Sequence, residues 1–194
     1  MKHYRRLLSR LLVESILIVV SVLVALAVND WKIGRDNAAR AVEARHAFIS
    51  EIAVNRAMLD SDAILRYHQQ LQAVYAKAVA SAASDPKTLF ETGLHPPRFA
   101  DAAWRSFSTT TIFADFRVND VLMLSDMYHA QIDIERRTES FLLALTSPRS
   151  DRETPAYQRD AALSIALFLN DLVPAEQRLL KQYDRALEQL TRRQ

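Results

Sequence analysis

Residues 11–28 read Leu-Leu-Val-Glu-Ser-Ile-Leu-Ile-Val-Val-Ser-Val-Leu-Val-Ala-Leu-Ala-Val, eighteen positions with one charge, Glu14. A helix of that length rises about 27 Å, close to the roughly 30 Å hydrocarbon core of a bilayer. The expected organisation follows from it: a tail over residues 1–10, a transmembrane helix over 11–31, and a domain over 32–194 on the far side.

The flanks orient the segment. Lys2, Arg5, Arg6 and Arg10 precede it with no acid among them, whereas Asp30, Lys32, Arg35 and Asp36 after it cancel. The positive-inside rule then keeps the tail cytoplasmic and exports the rest; for a bacterial chain that means the inner membrane, single-pass, with a periplasmic domain. Tyr4 and Trp31 lie about 40 Å apart on a helix, which suits two aromatic rings at opposite headgroup layers. Two rival readings stand beside this one. Ala25-Leu26-Ala27 offers a small-x-small exit for a cleaved signal peptide. A pilin-like amino terminus also carries a glutamate early in an apolar helix, but here Ser9-Arg10 stands where a glycine and a large apolar residue belong.

Within the span, Glu14 is one turn inside the boundary, where it reaches the interface or pairs with Arg10; a partner contact or a proton-linked role is the alternative. Ser21 and Ala25 make a small-xxx-small step that permits close helix approach. Together with Trp31, these residues are the candidate membrane or partner contacts.

Composition narrows the classes. The four basic residues of the tail account for much of the charge: taking them from 25 leaves 21 against 23 acids, a net −2 for the rest. An exported part without basic excess argues against nucleic acid as a partner. The absence of cysteine excludes disulfides and thiolate metal sites. The two glycines, Gly34 and Gly93, are too few for turn-rich all-β folds or a Gly-rich phosphate loop.

The fold class expected is all-α, with the transmembrane helix continuing into a long helix of an antiparallel periplasmic bundle. Over residues 32–82, Val42, Ile49, Ile52, Leu59, Tyr67, Leu71, Val74 and Ala78 recur at helical steps without a proline. Residues 83–98, with Asp85-Pro86, Gly93 and Pro96-Pro97, read as a loop. A short helix over 99–108 is followed by a break at Thr109-Thr110-Thr111 and a long helix over 117–147. After a polar loop over 148–155 comes a third helix, 156–172. A bend at Pro174 then opens a final helix with a seam of Leu180, Tyr183, Leu187 and Leu190. Long helices joined by short loops pack antiparallel.

Chemistry motifs are missing: no GxSxG, HExxH, P-loop or Rossmann glycine pattern occurs, and no cofactor is implied. Asp126, His129 and Asp133 share a helix face, but no matching ligand motif exists on another helix, so no metal is expected. Trp104, Phe107 and Tyr128 are candidates for a ligand pocket between helices; with Phe113 and Phe116, the plainer role is stapling the short helix to the core.

Glu14, Ala25-Leu26, Asn29, Trp31 and Arg35, with Glu and Trp 17 positions apart, fall where an uncharacterised family of bacterial single-span membrane proteins, a domain-of-unknown-function family, carries the same types. The stretch from Glu14 to Arg35 resembles that family. Trp104 before a Ser/Thr-rich break, and Met127-Tyr128 in a long helix, extend the resemblance more loosely. Val13 and Ser21 depart from it, standing where the family has glycine, so a helix contact built on those glycines does not carry over. The resemblance implies a membrane-anchored helical protein and supplies no activity or ligand.

The expectation is a non-enzymatic protein-interaction or assembly module, with a protein partner or a second copy of itself. A small-molecule sensor acting through a membrane partner is the alternative, and a pilin-like assembly subunit a further one.

Overall fold

A computed structural model describes residues 2–80, 93–148, 150–151 and 154–192, with side chains from Glu14 onward. The expected loop at 83–92, loop positions 149 and 152–153, and the side chains of Tyr4, Arg10 and Val13 lie outside the described residues. The elements are α1 (Lys2–Leu59), α2 (Leu65–Ala80), α3 (Ala102–Phe107), a 3-10 turn (Thr111–Asp115), α4 (Val118–Thr146) and α5 (Pro155–Thr191). No strand occurs among the described residues.

The chain divides into two compact units, Met1–Glu43 and Ala44–Gln194. In the first, every side chain from Glu14 to Asp36 is exposed, the apolar run from Ser15 to Val28 included. This helix is long and apolar enough to cross a membrane. Ser21 donates its hydroxyl to Leu17 O at 2.7 Å, so the polar group is satisfied within the helix. The Arg35 guanidinium sits 5.7 Å from the Trp31 ring centroid.

In the second unit, α5 is the element on which the others register. Arg56 of α1 bonds Asp184, His68 of α2 bonds Glu176, and Gln72 bonds Asn170. The end of α1 and then α2 therefore run counter to α5 along one track. On another track α4 also runs counter to α5, with Asp120 accepting from Gln189 near one end and Phe141 stacked on Phe168 near the other. Phe48, Ile52, Leu59, Leu124, Met127, Leu169, Leu179 and Tyr183 are completely buried among these helices. Each such side chain contributes about 1.5–3 kcal/mol of burial free energy.

A further track has no long helix. Residues 93–101 are irregular and lead into α3. Tyr67 donates to Gly93 O, His95 contacts Ala63 O, Asn55 bonds Ala100, and Glu51 accepts from Ala103 N. The segment thus runs back along α2 and α1, and Arg98–Glu139 and Phe99–Glu135 tie it to α4 as well.

Four expectations are corrected. The helix over 32–82 is interrupted at Asp60–Ile64, where Ser61 donates to Met58 O at 2.6 Å and Ile64 N to Ser61 O at 3.3 Å. Asp60-Ser61-Asp62 offers the backbone local side-chain partners that compete with the helix. The helix boundary expected at Pro174 is absent: Pro174 lies inside α5, which runs on through it because Leu172, Val173 and Glu176 on either side are all buried. The helix over 99–108 shortens to Ala102–Phe107, since Pro96 and Pro97 bias the preceding chain towards extended backbone. Val42 is 56% exposed, and Ala41 and Ala44 take the buried positions on that turn. The long helix expected over 117–147 is α4, and Thr110 caps the 3-10 turn by accepting from Ile112 N.

Candidate functional site

Trp104, Phe107 and Tyr128 are brought together. Trp104 stacks on Tyr128 at 5.0 Å and 18°. Phe48, from α1, lies 5.7 Å from Phe107, 6.1 Å from Phe113 and 6.2 Å from both Phe116 and Tyr128. Phe48 is wholly buried, so these rings pack on one another around it. Tyr128 donates its hydroxyl to Glu51 at 2.6 Å. Burial, reinforced by that bond and by the Glu51 charge, pushes the Tyr128 phenol well above its usual range.

Glu51 belongs to a set of polar side chains that hold the 93–103 segment. Its other oxygen accepts from Ala103 N at 2.8 Å, satisfying a free N–H at the start of α3 that Asp101 leaves uncapped. Asn55 is nearly fully buried and brackets one residue, donating to Ala100 O at 2.7 Å and accepting from Ala100 N at 2.8 Å. Glu135 accepts from Phe99 N at 2.7 Å. A non-helical segment packed on helices needs such partners, because its own ladder is missing.

Between α2 and α5, His68 and Glu176 are both fully buried, with His68 Nδ1 at 2.9 Å and 3.1 Å from the two carboxylate oxygens. The other ring nitrogen, Nε2, has no hydrogen-bond partner. Such a dyad resembles half of an acid–base pair, but it has no access to solvent. Its physical role is to fasten α2 to α5 through a buried side-chain hydrogen bond.

On the α4–α5 side lies a cleft of about 640 Å³, within the range of small-molecule sites. Ile134, Phe141, Phe168 and Leu172 supply its apolar wall, and Arg136, Arg137 and Arg178 its cationic groups. Phe141 and Phe168 stack face to face at 4.1 Å and 2°. Arg137 is paired with Asp133 at 3.1 Å. Ser140, Asp171 and Gln182 complete the polar lining, and the Gln182 amide oxygen is buried without a hydrogen-bond partner.

The remaining candidates are dispersed. Glu14, Ser21, Ala25 and Trp31 are exposed on α1. His129 turns back on its own helix, its Nδ1 at 2.8 Å from Ser125 O, while Asp133 faces Arg137. Among the described residues no cluster of three or more histidine and carboxylate ligands occurs.

Sequence reasoning passed over Asn55, His68 and Glu176. The signal was present: each is a polar residue in an apolar helical row, Asn55 between Ile52 and Leu59, His68 between Leu65 and Leu71, Glu176 between Val173 and Leu179. For the cleft, nothing local in the sequence marks a gap between two helices. Comparison with family models, curated proteins and solved structures returns no match.

Proposed function

We propose that this is a single-span inner-membrane protein whose periplasmic antiparallel helical bundle acts by association, with another membrane protein or with a second copy. The observation that supports the reading most is the run from Glu14 to Val28, helical and exposed at every position, beside a separate unit with its own filled core. Apolar surface all round a helix requires lipid or protein around it. The exposed aromatic Trp31, with Arg35 over its ring, suits the outer headgroup layer. The signature from Glu14 to Arg35 supports the same topology, and Glu14, Ser21 and Ala25 are the contacts assigned to a partner helix.

The test is made on the full chain in bacterial cells. Retention in the membrane after alkaline carbonate, cleavage of the helical domain by external protease only in spheroplasts, and crosslinks from the domain or from position 14 to one membrane partner or to itself are the expected results. Release by carbonate, or a domain protected in spheroplasts, overturns the topology. Recovery of uncrosslinked protein alone overturns the association.

A second reading, a small-molecule-binding bundle, is favoured by the α4–α5 cleft rather than by the aromatic cluster around Trp104 and Tyr128.

A further inference from the structure

We infer that the α4–α5 cleft is a binding site for a small organic anion with an apolar body, an inference that rests on the small-molecule reading above. The wall formed by Ile134, Leu172 and the Phe141–Phe168 stack is apolar and takes the body. The charge is set by which lining groups already have partners. Asp133 and Arg137 neutralise each other. Arg136, Arg178 and Asp171 form no ion pair among the described residues, leaving two guanidinium groups against one carboxylate facing one space. That surplus favours an anion, and a guanidinium is the group best suited to carboxylate or sulfonate oxygens.

Size agrees with this occupant. A space of about 640 Å³ fits one small molecule and leaves little room for a folded partner's surface. Arg136 and Arg178 sit on different helices, so a ligand bridging them would link α4 to α5.

The test uses the full chain in lipid nanodiscs, with empty nanodiscs as the blank, and ligand-observed NMR titrations. The probes are phenylbutyrate, phenylbutanol and phenylbutylamine, which share a body and differ in charge. Phenylbutyrate is expected to bind at least about tenfold more tightly than the other two, the worth of one charge-assisted contact. The double variant Arg136→Gln/Arg178→Gln, both exposed and checked for folding by circular dichroism, abolishes that preference while keeping weak binding of the body. Equal binding of all three probes, or an acid preference that survives in the double variant, overturns the anion assignment and leaves the small-molecule reading standing. No binding of any probe overturns both.

Discussion

His68 Nδ1 lies 2.9 Å from Glu176 Oε1, and neither side chain reaches solvent. The pair is the polar centre of an otherwise apolar contact between α2 and α5. Removing one member strands the other in the interior, which costs about 3–5 kcal/mol, whereas replacing both with apolar groups of similar volume is near neutral. Glu176→Ala is therefore expected to destabilise the domain by that amount in urea unfolding. His68→Leu/Glu176→Leu is expected to recover most of the loss. A double variant as unstable as the single would show that the pair contributes more than mutual compensation.

Asn55 carries a different load. Its amide satisfies both the N–H and the C=O of Ala100, so Asn55→Ala orphans two backbone groups at once. The expected cost is about 1–3 kcal/mol, and it is local. Hydrogen exchange at the Ala100 amide is expected to accelerate while α2 and α5 amides keep their protection. Uniform acceleration across the domain would show that the 93–101 segment opens only with global unfolding.

Alkaline stability follows from three buried phenols. Burial pushes Tyr75 up to about 12, and raises Tyr128 and Tyr183 further. The folded state holds these protons more tightly than the unfolded chain, whose tyrosines ionise near pH 10. Stability is thus complete below about pH 10 and falls as pH rises, by about 1.4 kcal/mol per unit for each group. Tyr75's share is lost between about pH 10 and about 12, where its folded form ionises. Urea midpoints measured across that range are expected to fall steeply, and less steeply in Tyr75→Phe. An unchanged slope in that variant would contradict the assignment.

These predictions separate what the sequence carries from what it does not. The long apolar run, the helix at 117–147 and the buried Tyr183 and Leu190 are legible because periodicity is a local property. The break at Asp60-Ser61-Asp62 is also local, written in residue types that compete for the backbone, with Ser61 bonding Met58 O, but a continuing apolar row masks it. Pro174 misleads in the opposite direction. Its local signal is strong, yet burial of Val173 and Glu176 against other elements keeps the helix continuous through it. The cleft is illegible for a third reason: it is a gap between Phe141, Phe168 and the arginines, and a gap has no residue of its own.

Gly93 isolates a backbone effect. Its φ is +63°, and a Cβ added there meets nothing within 4 Å. Any cost of Gly93→Ala is therefore the cost of holding an alanine in the left-handed region, about 1–2 kcal/mol, with no clash to relieve. Asparagine tolerates that region better, so Gly93→Asn is expected to lose less than Gly93→Ala. The carbonyl of Gly93 accepts the Tyr67 hydroxyl at 2.8 Å, and a substitution that kept φ positive would preserve this bond. Urea unfolding of the two variants orders them. An alanine variant as stable as the parent would mean that the chain has shifted to negative φ there, and in that case Tyr67→Phe should cost less in the Gly93→Ala background than in the parent.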